Sequence, residues 1–397
     1  MNEQDRSERP YDVVLFGATG FVGELTAAYL LGHAPHGCRL ALAGRNRDKL
    51  ERLRDRLAEQ HPQRAAALTL VRAEADDADA LRALAESTRV VASTVGPYIV
   101  HGQELVAACV RAGTDYTDLT GEPEFVDSVF VRHDALARRT GARLVHSCGF
   151  DSLPHDLGAY FTVQQLPEGV PLTVDGFVTA RGLISGGTLA SSLVIASRQR
   201  QALAAARKRR DHEQQPAGRR IRTPLGVPRF SKETGTWALP LPTIDPQVVR
   251  RSALALDRYG PDFRYRHHAS VRSLPVALAA PAALATVGAL AQLPPVRSAL
   301  GKLYPPGRGP SEQQRARSWF RIRFVGEGGG RRVFTEVAGG DAGYDETAKM
   351  LAHSSLSLAL DDLPETAGQV TTATAMGDAL IARLTAAGIT FRLCHAR

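Results

Sequence analysis

Short apolar runs alternate with stretches of helical periodicity over the first 150 residues of the chain. Unbroken apolar runs are typical of parallel strands buried on both faces, and regular alternation with helices indicates successive βαβ units. The pattern predicts strands at 13–16, 40–43, 68–72, 90–95, 115–119 and 142–146. Helices are predicted at 24–31, 47–60, 77–86, 103–111 and 124–139. The expected fold class is therefore α/β, with a Rossmann-type doubly wound parallel sheet.

The pattern changes beyond residue 150. Strand-like runs occur at 172–181, 319–325 and 332–337, separated by long polar or proline-rich spacers, which predicts an inserted α+β domain. Helical periodicity returns at 344–360 and 376–387, and we expect these helices to pack back on the first domain. The predicted domains are 1–155 for the nucleotide-binding domain, 156–340 for a substrate or interaction domain, and 341–397 for the C-terminal helices.

A glycine-rich turn follows the first apolar run directly. Gly17, Gly20 and Gly23 have G-x-x-G-x-x-G spacing, which predicts a dinucleotide-binding turn with the phosphates at the N-terminus of the next helix. An ordinary strand-turn-helix that needs small residues is the alternative. At the switch point of the sheet, the fourth strand should end beside the cofactor. The predicted cofactor contacts are Gly17, Ala18, Thr19, Gly20, Phe21, Val22 and Gly23 with Ser93, Thr94, Val95, Gly96 and Pro97.

The end of the second strand bears on the choice of cofactor. An NAD site usually has Asp or Glu there to bind the ribose 2′-hydroxyl, whereas this chain has Gly44-Arg45-Asn46-Arg47. A guanidinium suits a 2′-phosphate, so Arg45 predicts NADP(H). In the alternative interpretation, Arg45 and Arg47 are only solvated charges that open the next helix.

The net charge of +8 on 397 residues is concentrated in Arg198–Arg222. This segment lacks aromatic residues, which argues against nucleic-acid binding. A solvated helix followed by a mobile loop, an anionic lipid surface or an acidic carrier protein remain as interpretations. Leu274–Leu293 is apolar but interrupted by prolines, so it predicts buried helices or a shallow interfacial hairpin rather than a membrane span.

The four cysteines are widely scattered, so they predict neither a disulfide framework nor a metal site. The polar N-terminus lacks the apolar core of a signal peptide, and a cytoplasmic protein is expected, with attachment to the inner face of the plasma membrane as an open alternative. A homodimer is also left open.

Several longer motifs indicate a family. They lie at 17–23, 42–45, 93–98, 116–122, 149–158, 186–188 and 348–351. With these motifs the chain resembles the saccharopine dehydrogenase-like oxidoreductases, and within them the bacterial trans-acting enoyl reductases, over nearly its whole length. The resemblance implies NADP-dependent hydride transfer to an acyl intermediate of a polyketide or complex lipid, held on a carrier protein or synthase. Reduction of an amino-acid imine and a non-catalytic, cofactor-binding role at a lipid surface are the alternatives.

Reduction of a conjugated double bond needs a hydride, donors for the developing enolate and a proton. The residues best placed by topology follow strands four to six: Tyr98, Thr120, Glu122, Asp151, Ser152 and His155. The predicted catalytic residues are Tyr98, Asp151 and Ser152. For Tyr98 the alternative is a ring packed under the cofactor, and for Asp151 it is capping of a helix.

Two other reaction types make different demands on the sequence. None of the nine tyrosines has Lys four residues later, which argues against ketone reduction by a short-chain dehydrogenase. A saccharopine-type reaction needs arginines that bind two carboxylates, and Arg181, Arg321 and Arg323 are the candidates.

Overall fold

The computed structural model describes residues 8–182, 195, 197–279, 286 and 309–394. The chain divides into two compact units. Unit 1 contains residues 1–149, 202–212 and 344–383, and unit 2 contains residues 150–201, 213–343 and 384–397.

The sheet of unit 1 has seven strands, all parallel, in the order β14-β6-β5-β4-β1-β2-β3. Between β1 and β4 the chain order reverses, which is the switch point of a doubly wound fold. The strands are β1 Tyr11–Phe16, β2 Leu40–Gly44, β3 Thr69–Arg72, β4 Thr88–Ser93, β5 Asp115–Asp118, β6 Arg143–Val145 and β14 Gly368–Val370. The six strands predicted from the apolar runs are confirmed.

The helices of unit 1 surround this sheet. They are α1 Phe21–His33, α2 Arg47–Ala58, α3 Pro62–Ala66, α4 Ala78–Glu86, α5 Tyr98–His101, α6 Gln103–Ala112, α7 Pro123–Thr140, α12 Asp345–Leu360, α13 Thr372–Ala375 and α14 Gly377–Ala386. The apolar α12 packs against α1 and against strands β1, β4 and β5. It is buried over most of its length, so this late segment completes the core of unit 1.

Unit 2 is built on an eight-stranded mixed sheet. Its path is β15-β13-β12-β7-β11-β10-β9, and β8 pairs with β11. The strands are β7 Leu172–Arg181, β8 Arg220–Arg222, β9 Arg229–Ser231, β10 Thr236–Pro240, β11 Asp262–Val271, β12 Trp319–Gly328, β13 Arg331–Gly339 and β15 Thr390–Cys394. The helices are α8 Leu153–Gln164, α10 Asp245–Ala255 and α11 Glu312–Arg315, and α8 packs on β7, β12 and β13.

The two units differ from the predicted domains in three places. The first segment of unit 1 ends at Gly149, because α8 packs on the sheet of unit 2. Residues 384–397 fall in unit 2, because β15 pairs with β13 there. Residues 202–212 fall in unit 1, although the segments around them in the sequence belong to unit 2.

The basic segment Arg198–Arg222 is ordered by its own arginines. Helix α9, Gln199–His212, carries a buried Arg209 whose guanidinium stacks over Phe130 at 3.9 Å and lies 3.5 Å from Asp127. Further along, the Arg219 guanidinium donates to four acceptors, among them three backbone carbonyls. The second half of the segment is thus hydrogen-bonded to unit 2 and continues into β8.

No helix in the described part of the chain is long and apolar enough to cross a bilayer. The predicted apolar segment Leu274–Leu293 lies mostly outside the described residues. Within its described portion, the side chains of Leu274, Val276 and Leu278 are exposed.

Candidate functional site

The glycine turn of unit 1 connects β1 to α1 at the switch point. Gly17 has a φ of +87°, and a Cβ there would lie 2.6 Å from Val95 Cγ2. A Cβ on Gly23 would lie 2.2 Å from the carbonyl oxygen of Gly17. Both positions therefore require glycine for the geometry of the protein itself, the first for the turn and the second for close packing of α1.

Gly20 has a different reason to be glycine. Its φ of −80° and ψ of 163° suit any residue, and a Cβ there would lie 3.4 Å from Gly17 O, with ample space otherwise. The residue is exposed, and no side chain among the described residues caps α1. The backbone of Gly20 is thus open to a ligand, and the uncapped N–H groups and positive end of α1 suit a pyrophosphate.

Arg45 and Arg47 have different surroundings in the structure. Arg47 donates to the carbonyl of Leu70 at 2.7 Å and to Glu51 at 2.9 Å, so it links α2 to β3. Arg45 is exposed and has no hydrogen bond or ion pair within the described ranges. It directly follows Gly44, whose Cβ position would be 3.8 Å from Thr19 Oγ1 in the glycine turn. Arg45 is an exposed cation beside the turn, and its contact with a 2′-phosphate stays a prediction.

The end of β4 is hydrogen-bonded to the glycine turn. Thr94 N donates to Phe16 O at 3.0 Å, and Thr94 Oγ1 donates to Gly17 O at 3.0 Å. Ser93 is buried, whereas Val95, Gly96 and Pro97 retain partial or full exposure. The predicted cofactor residues of the two segments therefore lie together, and Thr94 is the hydroxyl that holds them in place.

Tyr98 begins the short helix α5 and is buried. Its hydroxyl donates to Ser93 O at 3.0 Å and accepts from Leu119 N at 3.2 Å. Burial, with the nearby Asp118 carboxylate, raises the pKa of Tyr98 well above its ordinary value. A hydroxyl with both partners inside the protein and a raised pKa is a poor proton donor to a substrate, so the geometry favours the packing alternative for Tyr98.

Two buried carboxylates organise the loops after β4, β5 and β6. Glu122 accepts from Tyr98 N at 2.8 Å and from Ile99 N at 2.9 Å, so it caps α5. Burial raises the pKa of Glu122 in spite of these bonds. Asp118 accepts from Ser147 N at 3.0 Å and contacts His146 Nδ1 at 2.7 Å. Glu122 is one of the candidates that the sequence places after strands four to six, and its observed hydrogen bonds, like those of Asp118, hold the loops together.

The second predicted group, Asp151 and Ser152, belongs to unit 2. Ser152 is the N-cap residue of α8 but makes no capping bond, and its buried Oγ has no hydrogen-bond partner among the described residues. Asp151 lies one residue before the cap, so the capping interpretation of Asp151 is wrong. The residue is exposed as a whole, and its side chain makes no hydrogen bond within the described ranges.

The surroundings of Asp151 change its acidity. Although solvent reaches the side chain, the protein atoms packed around it remove part of its hydration, and the Asp245 carboxylate adds repulsion. Together these raise the pKa of Asp151 to about 6, against a smaller opposite effect from His155. An accessible carboxyl that is partly protonated near neutral pH can act as a general acid.

The candidate carboxylate-binding arginines are already paired. Arg321 and Arg323 both contact Glu336, at 3.4 and 3.1 Å, and Arg392 binds the same carboxylate at 2.5 Å. The remaining candidate, Arg181, is exposed at the end of β7. The structure does not present Arg321 and Arg323 as a free pair for a dicarboxylate substrate.

Comparison with known proteins identifies the family. A model of the saccharopine dehydrogenase NADP binding domain matches residues 13–144. A Mycobacterium tuberculosis protein provisionally named a trans-acting enoyl reductase is 39% identical, over 97% of each chain. The trans-acting enoyl reductase of Mycobacterium bovis is 37% identical, over 96% of this chain and 97% of its own. The chain belongs to the saccharopine dehydrogenase-like oxidoreductases of the trans-acting enoyl reductase type.

The fold of this family is recognisable at low identity. Yeast saccharopine dehydrogenase (L-Glu forming), in its apo form, superposes with a TM-score of 0.56 at 11% identity, covering 97% of this chain and 100% of the other. The family match and the relatives establish an NADP-dependent oxidoreductase. When bound, NADPH supplies a hydride. The open backbone at Gly20 fits its pyrophosphate, and Arg45, which is unpaired among the described residues, fits its 2′-phosphate.

Proposed function

We propose that the protein is an NADPH-dependent, trans-acting enoyl reductase that reduces a carbon–carbon double bond in an acyl intermediate of a polyketide or complex lipid. The observation that carries this proposal is the similarity to trans-acting enoyl reductases over 96–97% of the chain. Such coverage includes both units, so the resemblance is not limited to the nucleotide-binding sheet.

The proposal assigns three roles to residues of the protein: a proton source, a hydrogen-bond donor to the thioester and a positioning residue. Hydride addition at the β-carbon leaves an enolate that needs a proton at the α-carbon. Asp151 is proposed as the proton source, because its carboxyl is exposed, unpaired among the described residues and has a pKa of about 6. Ser152, whose Oγ lacks a partner in the described structure, is proposed to donate to the thioester oxygen. Tyr98 is proposed to position the loops after β4 and β5 through its two hydrogen bonds.

The basic helix α9 suits an acidic carrier protein that delivers the acyl chain. Arg209 is buried in unit 1 and is not available to a partner. The other basic side chains of the helix are exposed: Arg200, Arg207, Lys208 and Arg210. A row of cations on a helix attracts an acidic partner over several ångströms and raises the association rate. We therefore propose α9 as the carrier contact, with anionic lipid as the competing ligand of the same surface and a cytoplasmic location for the protein.

Cofactor oxidation with a panel of substrates tests the proposal. We expect NADPH oxidation with trans-2-enoyl thioesters, faster when the thioester is on a carrier protein, and none with lysine plus 2-oxoglutarate. The arrangement of Arg321 and Arg323 around Glu336 supports the second expectation. Turnover of the amino acid and oxo-acid pair with no turnover of any enoyl thioester would reverse the assignment.

A further inference from the structure

Three buried side chains from distant parts of unit 2 converge on one point. His155 lies on α8, Asp245 is the first residue of α10, and His267 lies on β11, and each is at most 3% exposed. Asp245 Oδ1 is 2.8 Å from His155 Nδ1, and Asp245 Oδ2 is 3.6 Å from His267 Nε2. The two imidazole rings are 4.9 Å apart and nearly perpendicular. One ligand atom from each residue falls within 4.8 Å of the others.

Most polar atoms of this cluster have no hydrogen-bond partner in the described part of the chain. They are both ring nitrogens of His155, Oδ1 of Asp245 and Nε2 of His267. The 2.8 Å contact between His155 and Asp245 is short enough for a hydrogen bond but poorly aligned for one. Buried polar atoms are rarely left unpaired, so four in one cluster call for an explanation.

The other side of His267 is held in the way that metal ligands usually are. Its Nδ1 lies 3.0 Å from the hydroxyl of Tyr265, which fixes the ring with Nε2 directed at the cluster. Ligands of this kind bind a metal ion as neutral imidazole and ionised carboxylate.

We propose that His155, Asp245 and His267 bind a divalent transition-metal ion, most simply Zn²⁺. Two imidazole nitrogens and one carboxylate oxygen are a typical zinc donor set, and three protein ligands leave a fourth position for water. Ligand atoms of a tetrahedral zinc lie roughly 3.4 Å apart, from bond lengths of about 2.1 Å. The observed separations bracket this value, so small side-chain movements suffice. The ion would join α8, α10 and β11, and its binding would stabilise unit 2.

The test begins with the full-length protein without an affinity tag. We expect about one zinc per chain by elemental analysis of the purified protein, and visible d–d absorption when the chelator-treated protein is titrated with Co²⁺. Zinc at a hundredfold excess over its dissociation constant should raise the thermal midpoint by about 5 °C or more. These readouts do not depend on enzyme activity, so they are independent of the proposed function.

Substitutions locate the site. His155→Asn, Asp245→Asn and His267→Asn should each abolish the Co²⁺ spectrum and the thermal shift. His268→Asn is the matched control, because His268 is the buried neighbour of His267 on β11 and faces the other side of the sheet. If the first three variants fail to fold, the zinc content, the Co²⁺ spectrum and the thermal shift of the parent protein test the proposal by themselves. No metal and no Co²⁺ spectrum in the parent, or a spectrum unchanged in folded variants, would overturn the proposal.

Discussion

The sharpest prediction from the cofactor site concerns Arg45. Its guanidinium is exposed, follows β2 directly and is unpaired within the described residues, so replacing it with Ala breaks no contact seen in the fold. A hydrogen bond to a charged group contributes about 1.5–3 kcal/mol, which corresponds to roughly 10- to 150-fold in affinity. Because Arg45 is at the surface, solvent screening favours the lower end. We expect Arg45→Ala to weaken NADPH binding about 10-fold at low salt and to leave NADH binding unchanged.

Arg47→Ala is the matched control for this experiment. Arg47 has the same charge and lies two residues away, but it is bonded to Leu70 O and Glu51. Its loss should lower the thermal midpoint slightly and leave the ratio of NADPH to NADH affinity unchanged. Both affinities are measured by fluorescence titration at two ionic strengths, since the contribution of Arg45 should shrink with salt. Equal affinity of the parent for the two cofactors, or an equal loss of both in Arg45→Ala, would refute the reasoning.

Three further predictions follow from particular contacts. Gly20→Ala should leave the thermal midpoint nearly unchanged and weaken NADPH binding. Gly23→Ala should cost about 1–3 kcal/mol of folding stability, because its Cβ would meet a carbonyl oxygen at 2.2 Å. Similar thermal midpoints for the two variants would contradict this prediction. The raised pKa of Asp151 disfavours its ionised form in the folded state, so Asp151→Asn should gain stability relative to the parent as pH rises from about 4 through about 6. The same variant should reduce enoyl thioesters more slowly and should lose the decline in rate that the parent shows above the pKa of Asp151. Identical pH profiles of stability and rate in the parent and the variant would count against the role of Asp151. Arg209→Ala should lower the free energy of unfolding, measured with denaturant, by about 2 kcal/mol, because the buried Asp127 loses a partner. Arg210→Ala, at the exposed neighbour, should leave that free energy almost unchanged. Equal losses of stability in the two variants would show that Arg209 is not a core residue.

The sequence predicted six of the seven strands of unit 1, because most of them are apolar runs bounded by turn residues. The strand β14, Gly368–Val370, was not predicted, since Gly-Gln-Val contains no apolar run and its pairing with β6 depends on tertiary contacts. The helix α9 was predicted as a charged surface feature. Its attachment to unit 1 depends on one buried cation, Arg209 on Phe130, and a charge pattern does not distinguish a buried arginine from its exposed neighbours.

The candidate site shows the same limit. The glycine turn is a short contiguous motif, and Arg45 directly follows the second strand, so each can be predicted from its position relative to one strand. The role of Tyr98 depends on where its hydroxyl points, which only the structure gives. The cluster of His155, Asp245 and His267 combines residues far apart in sequence, with no short spacing of metal ligands to indicate it.

The proposed reaction is transfer of a hydride from NADPH to the β-carbon of an enoyl thioester. The most direct measurement uses NADPH deuterated at the transferred position with a carrier-bound trans-2-enoyl thioester, and analyses the product by mass spectrometry and NMR. We expect a saturated thioester with one deuterium at the β-carbon and one equivalent of NADP⁺ formed. An unreduced thioester, with the protein folded and NADPH bound, would contradict it.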